Sequence, residues 1–124
     1  PESIREQVAR RFPEGSVDLE EMSAAFIKKT ELPGHDEAFG KVMKHMTDPI
    51  TRPPYNTLRR LGRIKAPTLV IWGRDDKVNA LEMGEETAAG IPGSKLIIYD
   101  DTGHGVPNEQ PERFNKDVLE FFTS

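Results

Sequence analysis

Cysteine is absent from the 124 residues. Its absence removes disulfides, thiolate metal sites and a cysteine nucleophile together. It also fits a reducing compartment, so a cytoplasmic protein is expected. Long apolar runs are lacking as well. None approaches the ~18 residues of a membrane span, and no secretory signal pattern opens the chain. Basic charge is not in excess: 17 Lys and Arg against 21 Asp and Glu leave a formal net charge of −4. A nucleic-acid partner would want a basic face, so neither nucleic acid nor membrane is expected as a partner. His35 and His45 stand outside any H-E-x-x-H or comparable ligand spacing. Both read as surface residues, and no metal or cofactor is expected. The first residue is Pro1 rather than Met, which suggests a processed or truncated chain.

What is present falls into two zones. From Pro1 to about Arg63 apolar residues recur at helical spacing. Ile4, Val8 and Phe12 form one stripe; Leu19, Met22, Phe26 and Ile27 a second; Phe39, Val42, Met43 and Met46 a third. Gly15, Ser16 and Asp18 offer a break and a cap before the second helix. Pro33-Gly34 breaks the chain before the third, and Pro49 ends it. Pro53-Pro54 then precedes a short helix with Tyr55, Leu58 and Leu61 on its apolar side. The Met and Phe stripes are expected to be core.

From Ile64 the pattern changes. Thr68-Leu69-Val70-Ile71-Trp72 is a short continuous apolar run, as suits a strand of a parallel sheet buried on both faces, and Gly73 stops it. Ala80 to Ala89 reads as a helix closed by Gly90 and Pro92. Leu96-Ile97-Ile98-Tyr99 is a second strand. Pro111 sits at the first turn of a last helix, whose apolar face carries Phe114, Val118, Phe121 and Phe122. Strand, helix, strand, helix at this spacing predicts a βαβα unit with two parallel strands. The fold class is therefore α/β, with residues 1–63 as a helical segment and 64–124 as the βαβα part.

In open parallel sheets functional groups collect on the loops beyond the C-terminal strand ends. Two such loops exist here, Gly73-Arg74-Asp75-Asp76-Lys77-Val78 and Asp100-Asp101-Thr102-Gly103-His104-Gly105. If the strands are neighbours, their axes lie ~5 Å apart, and an acid of the first loop can hydrogen-bond His104 of the second. Such a carboxylate fixes the imidazole tautomer and stabilises the imidazolium, while the other ring nitrogen takes a proton from a nucleophile.

The stretch IKAPTLVIWGRDDKV resembles the α/β-hydrolase segment that carries the triad acid. The stretch DDTGHGVPNEQPERFNKDVLEFF resembles the segment with the triad histidine and the final helix. The resemblance covers roughly residues 64–123. It implies Asp76 as the acid and His104 as the base, with Gly103-His104, Glu109, Pro111 and Phe114 matching the later part of the pattern. It also implies that residues 1–63 are the lid, or cap, inserted over the active site, so that the whole is a partial α/β-hydrolase fold. The tone is closest to hydrolases that cleave carbon–carbon bonds in ring-fission (meta-cleavage) products, although many of those place a Trp after the histidine where this chain has Gly105.

The family's Gly-x-Ser-x-Gly elbow is missing. Ser3, Ser16, Ser23, Ser94 and Ser124 all lie in other contexts. The resemblance thus implies a fragment that supplies acid and base to nucleophilic hydrolysis of a small organic substrate, an ester or a carbon–carbon bond, and that is inactive alone. The alternative is a non-catalytic interaction domain that keeps the fold. An Asp as nucleophile would shift the reading to dehalogenase or epoxide-hydrolase chemistry. The expected partners are a small-molecule substrate and either the N-terminal half of the same protein or a second copy, as a homo-oligomer. The remaining candidates read as structural: Asp75 solvated or paired with Arg74 or Lys77, Asp100 and Asp101 shaping a turn, Trp72 in the core, and Glu109 as a helix-entry charge. Arg52, near the exit of the helical segment, is a candidate contact for an acidic substrate.

Overall fold

The computed structural model describes residues 3–48 and 57–124. Pro49, Arg52, the Pro53-Pro54 pair and Tyr55 lie outside the described residues.

Three helices open the fold: α1 (Ile4–Arg11), α2 (Leu19–Thr30) and α3 (His35–Thr47). Their starts follow from local chemistry. The Ser3 hydroxyl accepts the Glu6 amide while the Glu6 carboxylate accepts the Ser3 amide, a reciprocal cap. Asp18 Oδ1 accepts the amides of Glu20 and Glu21. Gly34 enters α3 at φ 79°, a left-handed conformation that suits glycine. Helix α1 packs against α2, with Val8 and Phe12 buried.

The α3 stripe departs from expectation. Phe39, Val42, Met43 and Met46 are exposed, Phe39 to 57%. The periodicity is real, but α3 touches little besides α2, and among the described residues no sheet lies beneath it. His45 is exposed, whereas His35 is partly covered, stacked on Phe39 with its Nδ1 3.0 Å from Asp36.

A 3-10 helix (Thr57–Arg63) leads into β1 (Leu69–Gly73), α4 (Leu81–Gly90), β2 (Lys95–Tyr99), a single turn α5 (Val106–Glu109) and α6 (Pro111–Thr123). The strands pair in parallel, Leu69 with Lys95 through Gly73 with Tyr99. Leu61, Val70 and Ile91 form the centre of the core, flanked by Ile64, Trp72, Ala88 and Leu96. Trp72 is thus core, as expected, and its indole N–H donates to the Asn79 carbonyl. Gly84 lets the backbone of α4 lie on the Trp72 ring, since a Cβ there would fall 2.6 Å from it.

Helix α6 begins at Pro111, where the missing N–H costs nothing. Its Phe114, Val118 and Phe121 are half-buried, but Phe122, assigned to the same face from sequence, is 79% exposed. Polar contacts also hold the helix. The fully buried Tyr99 donates its hydroxyl to Asp117, and Arg113 lies over the Tyr99 ring, 3.9 Å from its centroid. Burial first, then the hydrogen bond and the charge of Asp117, push the Tyr99 phenol up to about 12.

Candidate active site

The parallel register brings the two strand-end loops side by side. The Arg74 amide donates to the Tyr99 carbonyl and the Asp75 amide to the Thr102 carbonyl, lacing one loop to the other. Gly73 permits this approach, because a Cβ there would fall 2.1 Å from the Gly103 carbonyl oxygen. The same register sets Arg74 beside Asp100 rather than Asp75. Arg74 Nε reaches Asp100 Oδ1 at 2.5 Å, a bond that raises the arginine and lowers the carboxyl. Asp75 itself is exposed, which fits the solvated alternative, while Arg74 pairs with Asp100 rather than with Asp75. Asp101 shapes the turn at φ 52°.

Asp76 points the other way. Its side chain is only 6% exposed. Oδ1 accepts the amides of Val78 (2.8 Å) and Asn79 (2.9 Å), and Oδ2 lies 2.9 Å from Nδ1 of His104. The carboxylate is thus oriented by its own loop before it meets the ring. The paired acid is Asp76, not Asp75. A carboxylate only accepts, so Nδ1 is assigned the proton in this pairing, and in the neutral ring Nε2 keeps its lone pair. The His104 side chain is 36% exposed.

His104 borders a cavity of about 620 Å³ between its loop, the end of α1 and α2. Phe12, Met22 and Phe26 supply apolar lining; Arg11 and Lys29 supply positive charge. Both cations lie over the Phe26 ring, at 5.0 and 4.8 Å from its centroid. Phe12 also meets the residue after the histidine, where this chain has glycine. Its ring rests against Gly105, where a Cβ would meet Cε1 at 2.1 Å.

One residue was underrated in the sequence. Glu109 ends the single turn α5, and its carboxylate accepts the amides on both sides of His104: Gly103 at 2.8 Å and Gly105 at 3.0 Å. The signals were its match to the family pattern after Gly103-His104 and a carboxylate four residues after a glycine, at the close of a tight turn. Arg52 lies outside the described residues. Among the described residues no group of His, Asp and Glu is arranged to hold a metal ion, and no helix is long and apolar enough to cross a membrane.

Comparison with known proteins follows the same lines. The profile of the alpha/beta hydrolase family matches residues 2–117. The chain belongs to the alpha/beta hydrolase family. It is 48% identical over 62 residues to a 2-hydroxy-6-oxononadienedioate/2-hydroxy-6-oxononatrienedioate hydrolase of Klebsiella pneumoniae, which covers 50% of this chain and 22% of that protein. The structure of a meta-cleavage product hydrolase from Pseudomonas fluorescens superposes with a TM-score of 0.67 at 26% identity, over 83% of this chain and 38% of the other. A 2-hydroxy-6-oxo-6-phenylhexa-2,4-dienoate hydrolase from Rhodococcus superposes with a TM-score of 0.77 at 21% identity, over 98% and 43%. The last likeness speaks for the fold alone. This alpha/beta hydrolase chain therefore spans less than half the length of each of these relatives in the match.

Proposed function

We propose that this chain supplies the acid and the base of a serine hydrolase that cleaves a carbon–carbon bond in a small acidic substrate, the helical segment 1–63 serving as its lid. The observation that carries the reading is the Asp76–His104 pair: a sheltered carboxylate, fixed by two amides, holding Nδ1 of a ring that borders a cavity. The match to a hydrolase named for dienedioates supports the substrate class. So does the lining, in which Arg11 and Lys29 flank apolar side chains.

In this reading Nε2 of His104 takes the proton of a serine hydroxyl as its oxygen attacks the substrate carbonyl. Asp76 stabilises the imidazolium that forms. Overall, hydroxide from water ends on the acyl carbon and a proton on the departing carbon. The serine belongs to an elbow that this sequence does not contain, and the oxyanion-stabilising amides come from the residue after that serine and from another early loop of the fold. Without them the 124 residues alone are expected to leave activated esters and dienedioates intact.

The test joins the chain to an N-terminal alpha/beta-hydrolase half that carries a strand–Gly-x-Ser-x-Gly–helix elbow. Turnover of a 2-hydroxy-6-oxo-dienedioate that disappears in His104→Ala supports the proposal. A joined protein that cleaves only simple esters would move the reading to an esterase. Turnover by the isolated 124 residues, lost in His104→Ala, would overturn the division of labour.

A further inference from the structure

We propose that Glu109 is a positioning residue for His104. The proposal rests on the reading of His104 as the base. His104 sits between two glycines, a flexible place for a side chain that must keep one orientation. The structure removes that freedom with three hydrogen bonds to three successive amides. Glu109 Oε2 takes the Gly103 N–H at 2.8 Å and Oε1 takes the Gly105 N–H at 3.0 Å. The N–H of His104 itself goes the opposite way, to the Arg11 carbonyl at the end of α1, at 2.8 Å. The Glu109 amide returns to the Gly105 carbonyl at 3.0 Å and closes a ring around the turn.

A carboxylate suits this task and an amide does not. It offers two accepting oxygens to two converging donors, and bonds to a charged acceptor are roughly twice as strong as neutral ones. A glutamine would offer one oxygen and turn an NH₂ donor toward the second N–H. The glycines serve the same arrangement from the other side. A Cβ at Gly103 would fall 2.7 Å from both the Arg11 carbonyl oxygen and Pro13, so the helical segment reaches His104 only because residue 103 has no side chain. The direction of the His104 side chain is thereby set by Glu109 and the end of α1. That direction puts Nδ1 2.9 Å from Asp76.

The test is the ring tautomer of His104, read by nitrogen-15 NMR of the 124-residue chain at a pH where the imidazole is neutral. The wild type is expected to show the Nδ1–H form and a downfield Nδ1 proton. In Glu109→Ala the ratio of Nδ1–H to Nε2–H should fall by about thirtyfold, the factor that corresponds to two net hydrogen bonds of about 1 kcal/mol each, and the downfield proton should disappear. Glu109→Gln should lie between, and the amide resonances of both strands should stay in place. Should Glu109→Ala give the spectrum of an unfolded chain, the glutamine variant decides on the same criterion. A folded variant with the wild-type ratio overturns the proposal. Asp76→Asn separates the two readings. If it shifts the tautomer and the Glu109 variants do not, only the positioning role fails; if it too leaves the tautomer unchanged, the Asp76–His104 pairing itself fails.

Discussion

Asp76 Oδ2 lies 2.9 Å from Nδ1 of His104, across 28 residues of sequence. Oδ1 is held by the amides of Val78 and Asn79. Replacing the carboxylate by Asn keeps the shape but offers an NH₂ where an acceptor stood, so the ring must turn or change tautomer. In the joined, nucleophile-bearing protein, Asp76→Asn should lower kcat by about four powers of ten, the scale known for such a change in other triads. Asp75→Asn should leave kcat within about twofold, because Asp75 is exposed and does not reach His104. Steady-state rates of both variants check this, and equal losses would contradict the geometry.

Two glycines should respond in opposite directions to alanine. At Gly73 an added Cβ would lie 2.1 and 2.4 Å from the carbonyl oxygens of Gly103 and Thr102, which are backbone atoms unable to swing aside. Gly73→Ala should cost roughly 3 kcal/mol, the upper part of the range for overpacking, and should loosen the two loops together. At Gly40, within α3, a Cβ meets nothing within 4 Å. Gly40→Ala should therefore stabilise by about 0.5–1 kcal/mol through the lower backbone entropy of the unfolded chain. Urea unfolding of the two variants supplies both numbers.

The pairing of Asp76 with His104 was legible because the pattern around the two residues is local. A short apolar run ending at Gly73, a second ending at Tyr99 and one helix between them are enough to put residues 76 and 104 on one edge. The partners of Arg74 were not legible. The choice of Asp100 over Asp75 depends on the strand register, which pairs Gly73 with Tyr99 and so sets residue 74 beside residue 100. Periodicity also says that a helix has an apolar face but not that anything covers it, hence the exposed stripe of α3. The hydrogen bonds of Glu109 escaped because they run to backbone amides, which leave no mark in the residue types they belong to.

Tyr99 should make the fold sensitive to alkali. Its phenol is pushed up to about 12 from its ordinary value of 10, mainly by burial. A raised value means that the folded state holds the proton more tightly than the unfolded one. The associated stability is complete below about pH 10 and is lost as pH rises through about 12, to a total of roughly 3 kcal/mol. The chain has two tyrosines, so Tyr55→Phe isolates the tyrosinate absorbance of Tyr99. That absorbance should appear together with loss of structure near pH 12. In Tyr99→Phe the steep fall in stability over this window should flatten. Titration of Tyr99 near pH 10 with the fold intact would contradict the burial.

The last expectation concerns association. Among the described residues β1 and β2 pair only with each other, so each strand presents one unpaired edge. A sheet of two strands needs further strands or helix cover to be stable, and open edges recruit other strands. Helix α3 adds an exposed apolar stripe of Phe39, Val42, Met43 and Met46. Both surfaces would be sheltered by a second copy, so the isolated chain is expected to form a homodimer or higher oligomer, and the nucleophile-bearing half should compete with that association. Light scattering at micromolar concentration measures the mass. Phe39→Glu tests which surface carries the contact: a shift to monomer assigns it to α3, and an unchanged oligomer assigns it to the strand edges. A wild-type chain that stays a monodisperse monomer and unfolds cooperatively would show that its own helices suffice to shelter the sheet, and the expectation of self-association would fall.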